Sequence, residues 1–349
     1  MSEPQQPRRV TIDPSSIDDA SIALAADLLR AGELVAIPTE TVYGLGANAL
    51  DADAVDRIFA AKGRPSTDPL IVHVDGLDMA GRVIDGPLPA PAVRLAAAFW
   101  PGPLTMVLPR HERVPDAVTS GGPTVGVRCP SHPVARAIIT AADLPVAAPS
   151  ANRFGRISPT SADHVAEELG ERVAMIVDAG RAEHGLESTV VAVHDEHVVV
   201  LRDGAVTREA LADHVQVRTV ADEAERTAAP GHDVRHYSPR TPTIATLAAP
   251  TDAPTGDVVY AGYADRPITL PRGWRFEGLG RRTELASVGH DLYDTLRRLD
   301  ADAPSLIVVE LTAADGIGRA IDDRLTRAAS GQVAGDAAML AEMIANALG

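Results

Sequence analysis

Asp51-Ala52-Asp53-Ala54-Val55-Asp56-Arg57-Ile58-Phe59-Ala60-Ala61-Lys62-Gly63-Arg64-Pro65-Ser66-Thr67-Asp68-Pro69-Leu70-Ile71-Val72-His73-Val74 decides the fold class. Ala54, Val55, Ile58 and Phe59 recur at helical spacing and give Asp51 to Ala61 one apolar face. Asp51 or Asp53 is placed to cap that helix and Gly63 to end it. Leu70-Ile71-Val72-His73-Val74 then reads as a buried strand. Helix, short loop and strand in succession are the grammar of an α/β protein, which often holds its ligands on such loops. The loop carries Lys62, Arg64 and Ser66, and Lys62 is the only lysine among 32 basic side chains. An ammonium is a compact point charge where a guanidinium is a planar fork. The loop therefore reads either as an anion cradle or as ordinary surface charge that happens to include a lysine.

The same alternation runs from about Ser16 to Val206. Leu34-Val35-Ala36-Ile37 is a short strand stopped by Pro38, and Leu104–Leu108, Val125–Val127, Pro145–Ala148, Ala174–Val177, Thr189–Val193 and Val198–Leu201 are further strands. Thr160 with Asp163 resembles a capping box opening a helix from Ala162 to Leu169. Several strands follow one another with no helix between, so the sheet should be mixed. From about Arg208 to Pro242 a helix candidate gives way to a polar stretch punctuated by Gly and Pro. A second α/β pattern follows, with strands at Val258-Val259-Tyr260 and Leu306-Ile307-Val308-Val309 and helices at Glu284–Leu299, Ile317–Ala329 and Ala337–Leu348. The expected layout is a disordered tail (1–15), a first domain (16–207), a linker (208–241) and a smaller C-terminal α/β domain (242–349).

Composition narrows the function. At 349 residues and 45% hydrophobic content the chain can build two ordinary cores, and it shows neither a membrane-length apolar run nor the apolar core of a signal peptide. One cysteine, Cys129, permits no internal disulfide and no paired-cysteine metal site, so a cytoplasmic protein is expected. A net charge of −16 speaks against a general nucleic-acid clamp, and an aromatic content of 3% against base-stacking platforms.

Chemistry-bearing residues gather at strand ends. Pro38-Thr39-Glu40-Thr41-Val42-Tyr43-Gly44-Leu45-Gly46 crowds hydroxyls, a carboxylate and two glycines into one stretch, which is a ligand loop or a tight turn; it is neither GxxxxGK[ST] nor GxGxxG. His73 lies inside an apolar strand and is either a core residue or a ligand group. Trp100-Pro101-Gly102-Pro103-Leu104-Thr105 reads as a stiff structural turn. Thr124 and Arg128 share one face of a strand, and Arg128 in apolar surroundings needs an anion, from a ligand or from the protein. Ser150, Asn152, Ser158, Ser188 and Arg202 also follow or end strands.

The order and spacing of Thr39-Glu40-Thr41-Val42-Tyr43-Gly44-Leu45, Lys62-Gly63-Arg64-Pro65, Pro69–His73, Trp100–Thr105, Val127-Arg128, Ser150-Ala151-Asn152 and Ser188-Thr189-Val190 resemble the YrdC-like family from about Ser16 to Val206. The C-terminal extension, and Arg235-His236-Tyr237-Ser238-Pro239 before it, resemble the two-domain form of L-threonylcarbamoyladenylate synthase. The resemblance implies a twisted mixed sheet with flanking helices and a concave site, plus a Rossmann-like C-terminal domain. It implies that L-threonine, bicarbonate and ATP give threonylcarbamoyl-AMP and pyrophosphate, with Mg²⁺ riding on ATP and no protein-only metal site. The product would pass to a tRNA threonylcarbamoyl transferase complex, with at most weak direct tRNA contact and no membrane. Lys62 and Arg64, with Ser150 and Asn152, would hold the phosphates and the forming linkage. Ser66, Thr124, Ser158 and Arg202 would contact the nucleotide, and His236 or Tyr237 would close over it from a linker covering the active site. Thr39, His73, Arg128, Ser188 and the backbone of Ala148 would bind threonine, Arg128 taking its carboxylate. The chain departs from the family where Asn152 is followed by Arg153-Phe154-Gly155-Arg156 in place of x-Ser-Gly, so its path to Ser158 is its own. Two other readings, an RNA-binding module and the carbamoyl-transfer domain of larger hydrogenase-maturation proteins, fit less well: the charge opposes the first, and the second needs acylphosphatase and zinc-finger-like segments that the chain lacks.

Overall fold

The computed structural model describes residues 7–218, 237–250, 253–265 and 268–348. The described residues before 219 form one compact unit; those from 237 onward, joined by Gly155–Ile157, form another.

The first unit is built on a mixed sheet. Its strands are β1 (Arg8–Thr11), β2 (Val35–Ile37), β3 (Gly44–Asn48), β4 (Ile71–His73), β5 (Leu104–Pro109), β6 (Thr124–Arg128), β7 (Val146–Ala147), β8 (Met175–Asp178), β9 (Thr189–Val193), β10 (His197–Arg202) and β11 (Gln216–Arg218). Their order is β1-β8-β2-β3-β7-β4-β6-β5-β9-β10-β11. β4 and β6 pair in parallel, while β7 runs antiparallel to β4 and β3. This centre is buried: Val72, Val127, Val146 and Ala147 have no exposed surface. Helix α1 spans Asp19–Arg30 and α2 spans Ala52–Lys62. The Asp51 side chain accepts the N–H groups of Asp53 and Ala54, and Gly63, at φ 64°, ends α2 in the left-handed conformation that glycine adopts without penalty. Gly44 and Gly46 serve a different end. A Cβ on Gly46 would meet the Val35 carbonyl at 3.0 Å and Val146 Cγ1 at 3.1 Å, so β3 lies close to its neighbours only because it lacks side chains there.

Three local expectations need correction. Residues 8–11, assigned to a disordered tail, are strand β1 in parallel register with β8, and Ile12 is buried behind them. The partner strand lies more than 160 residues away, so nothing in the local pattern announces the pairing. Arg208–Ala212 and Gln216–Arg218, assigned to the linker, pack on the first unit, with Leu211 and Val215 buried and β11 parallel to β10. Ser161, not Thr160, caps the helix Ala162–Leu169 by accepting the His164 N–H, while Thr160 is buried.

The second unit is a parallel sheet, in the Rossmann-like manner expected. Its strands are β12 (Thr243–Thr246), β13 (Val258–Tyr263), β14 (Trp274–Gly280), β15 (Leu306–Glu310) and β16 (Val333–Ala334), in the order β14-β13-β15-β12-β16. The helices Leu285–Ala301, Ile317–Ala328 and Ala337–Leu348 complete it. Among the described residues no helix is long and apolar enough to cross a membrane.

Candidate active site

The connection from β2 to β3 is braced by its own hydroxyls. Thr39 Oγ1 donates to the Val42 carbonyl, lies 2.9 Å from Thr41 Oγ1, and accepts the N–H groups of Thr41 and Val42. The loop after β7 is stitched to it: Leu45 N–H donates to the Pro149 carbonyl at 2.7 Å and Ala151 N–H to the Tyr43 carbonyl at 2.8 Å. Lys62, the last residue of α2, enters the same place. Its Nζ donates to the carbonyls of Ser150 at 2.5 Å and Asn152 at 2.6 Å, and its own carbonyl accepts the Phe154 N–H. Lys62 is 3% exposed, and burial, followed by the charge of Arg64, pushes its ammonium well below the usual lysine value. Three segments far apart in sequence, 39–45, 62 and 149–154, thus form one site.

Arg128 ends β6 beside His73, its register partner on β4. It is 4% exposed and forms an ion pair with Glu40, Nη2 to Oε1 at 2.7 Å. Nη1 donates to Thr41 Oγ1 at 2.8 Å, and Nε to the Gly102 carbonyl at 3.3 Å. The turn Trp100–Thr105, read as structural, therefore also helps to hold this guanidinium. Burial pushes the Glu40 carboxyl up, but the charge and hydrogen bond of Arg128 outweigh it and keep Glu40 below the usual carboxylate range. Burial, reinforced by Arg128, lowers His73 to about 3, and among the described residues its Nδ1 has no hydrogen-bond partner. At neutral pH the histidine is uncharged, and it feels the charges of Arg128 and Glu40.

A third group lies around Ser188, immediately before β9. Its Oγ is 2.8 Å from Thr105 Oγ1 and accepts from Arg202 Nη2 at 3.2 Å, and its carbonyl takes two further bonds from Arg202. Ser188 and Arg202, for which the family resemblance implies separate tasks, sit on each other. Ser158 is fully buried and donates to Glu187 Oε1 at 2.6 Å. Arg64 is also committed within the fold, its Nη2 paired with Asp68 at 2.8 Å and donating to the Pro69 carbonyl. Ser66 is exposed in the loop between them. Thr124 opens β6 at the end opposite Arg128, about 13 Å away at the usual strand rise. Ala148 N–H donates to the Ile71 carbonyl at 3.0 Å. His236 lies outside the described residues. Tyr237 belongs to the second unit, where its buried ring stacks on Tyr293 at 5.5 Å with the Arg324 guanidinium 5.4 Å from its centroid.

Sequence reasoning left Glu40, Thr41, Asp68 and Glu187 without roles. Glu40 had a signal: a buried arginine requires an anion, and Glu40 is the one acidic residue in the stretch Pro38 to Gly46. Asp68, four residues after Arg64, had a weaker one.

Comparison with known proteins agrees with this architecture at full length. A family model described as "Telomere recombination" matches residues 27–204, and one described as "Threonylcarbamoyl-AMP synthase, C-terminal domain" matches residues 206–330. The threonylcarbamoyl-AMP synthase of Bacillus subtilis is 41% identical over 335 residues, covering 92% of this chain and 96% of its own. That of Pyrococcus abyssi is 37% identical, covering 89% and 95%. A crystal structure of the P. abyssi Sua5 protein complexed with L-threonine superposes with a TM-score of 0.82 at 34% identity, covering 94% of this chain and 99% of that one. Both units, and not the mixed-sheet unit alone, find their counterparts. The chain belongs to the threonylcarbamoyl-AMP synthase family in its two-domain form.

Proposed function

We propose that the protein is a nucleotidyltransferase that makes L-threonylcarbamoyl-AMP and pyrophosphate from L-threonine, bicarbonate and ATP, for the threonylcarbamoyladenosine modification of tRNA. Full-length similarity to synthases, one relative having been crystallised with L-threonine, carries the assignment. The site chemistry fits it. The threonine amine adds to bicarbonate, water leaves, and an N-carboxylate forms. One oxygen of that carbamate attacks the α-phosphorus of ATP, a P–O bond forms, and pyrophosphate departs with the electrons of the broken bond. Two anions must meet, so fixed cations and preorganised dipoles are the catalytic device, and no protein nucleophile is needed.

In this reading Arg128 receives the threonine carboxylate. Thr39, neutral His73, Ser188 and the Ala148 carbonyl receive its hydroxyl and amine. Lys62 holds the loop Ser150–Asn152 and, with Arg64, faces the phosphates and the forming carbamoyl–phosphate linkage. Because Arg64 is paired with Asp68, it serves a phosphate by sharing that charge. Ser66, Thr124, Ser158 and Arg202 contact the nucleotide. Mg²⁺ would ride with the triphosphate, held by phosphate and water. The product is a mixed anhydride, and a tRNA threonylcarbamoyl transferase would consume it in the cytoplasm.

Pyrophosphate release tests the assignment directly, with L-threonine and bicarbonate omitted in turn. Release that requires both establishes it. Release indifferent to threonine, or none from folded protein, overturns it.

A further inference from the structure

We propose that Glu40 is a specificity-determining residue: by neutralising Arg128 it makes the buried subsite at the ends of β4 and β6 accept a zwitterionic α-amino acid and reject a bare carboxylate. The inference rests on the reading that Arg128 receives the substrate carboxylate.

The observations concern charge balance in a closed space. Glu40 and Arg128 are 2.7 Å apart, with side chains 2% and 5% exposed, so solvent screens neither. Both charges act on His73, which stands in register with Arg128, so all three groups share one microenvironment. His73, lowered to about 3, brings no charge of its own at neutral pH. His132, which feels Glu40, is also lowered by burial. The buried charges of this corner are one carboxylate and one guanidinium, which sum to zero; Glu183, which also acts on His132, is exposed to water.

A ligand that brings only a carboxylate would leave the corner with an unbalanced negative charge away from water, which is strongly unfavourable. A zwitterion brings none: its carboxylate adds to Arg128 and its ammonium faces Glu40. An arginine alone would attract any small carboxylate. The pair converts that attraction into a demand for an ammonium beside it. Glu40 is held ionised, so it acts as a fixed counter-charge; the proton shed when the amine becomes a carbamate leaves with bicarbonate's departing water or with solvent. A purely structural ion pair would impose no such demand.

The test is direct binding of three ligands to the full-length protein by calorimetry: L-threonine, 2,3-dihydroxybutanoate (hydroxyl in place of the ammonium) and L-threoninamide (amide in place of the carboxylate). Wild type should bind the hydroxy acid about 100-fold more weakly than threonine, because it leaves the charge unbalanced. Glu40→Gln should shrink that gap to less than about fivefold, and Glu40→Asp, which keeps the charge, should preserve it. A gap that survives in Glu40→Gln overturns the proposal. If that variant does not fold, wild type still decides: binding of hydroxy acid and threonine within about threefold of each other overturns the proposal with no mutant needed. Equal binding of threonine and threoninamide by wild type marks a different failure, that of Arg128 as carboxylate receiver.

Discussion

Lys62→Arg keeps the charge and changes only its shape, which makes it the sharpest test of how the site is assembled. Lys62 Nζ sits between two carbonyls at 2.5 and 2.6 Å in a space closed to solvent. A guanidinium is planar and longer, and cannot place one nitrogen between both oxygens while clearing the walls. Overpacking of this kind costs about 1–3 kcal/mol of stability, so the variant should fold with a lowered unfolding midpoint. The rate should suffer more. Lys62 fixes the carbonyls of Ser150 and Asn152, and each hydrogen bond to a charged donor contributes about 1.5–3 kcal/mol. Loss of one such bond, with a shift of the loop by an ångström, corresponds to a fall in kcat of about 100-fold. The assay is pyrophosphate release at saturating threonine, bicarbonate and ATP, alongside circular dichroism and urea unfolding. A folded Lys62→Arg protein with kcat within about threefold of wild type would refute the argument that a compact ammonium is required.

Other outcomes follow from separate parts of the structure. Arg202→Gln removes the bonds that hold Ser188 as well as the proposed nucleotide contact, so the threonine KM should rise about tenfold together with the ATP KM; a change confined to ATP would refute a positioning role toward Ser188. Removing all residues after Ala229 takes away His236, Tyr237 and the second unit and should weaken ATP retention; equal ATP affinity by equilibrium dialysis would refute a capping role for that segment. His73 is neutral when folded but takes up a proton near pH 6.5 when unfolded, so stability is full above that value and declines as pH falls toward about 3. In His73→Gln the decline between pH 6.5 and 4.5 should be shallower than in wild type, the remainder reflecting His132, and parallel urea-derived profiles would contradict neutral burial. Glu40 has the same sign, since its folded value is also lowered, but its contribution is lost only as pH falls through the carboxylate range, below that window.

The sequence was legible where neighbours in the chain decide the outcome. Helix α2 was readable because its apolar face, its Asp51 cap and its Gly63 stop are all local, and the structure moves its boundaries by one residue. Strand β9 and the helix Ala162–Leu169 were readable for the same reason. Strand β1 was not, because its stability comes from β8 and from Arg9, which bonds Asp163 and Asp178 at 2.6 and 2.7 Å. β3 was hidden by its glycines, which weaken a strand pattern locally and permit the close packing that makes the strand.

The site divides along the same line. Which residue types gather at strand ends was visible, and so was the need of Arg128 for an anion. What supplies that anion was not, because residues 40 and 128 meet only once β2, β4 and β6 have been laid side by side through β3 and β7. A ligand carboxylate alone would have implied an empty site holding an uncompensated buried cation, which a folded protein avoids. The Glu40 partner removes that difficulty and introduces another: any carboxylate that binds Arg128 must do so beside a second negative charge. In the proposed role of Arg128, a ligand that carries its own ammonium resolves the conflict, so the pair that compensates the buried charge is also the pair proposed to select the ligand.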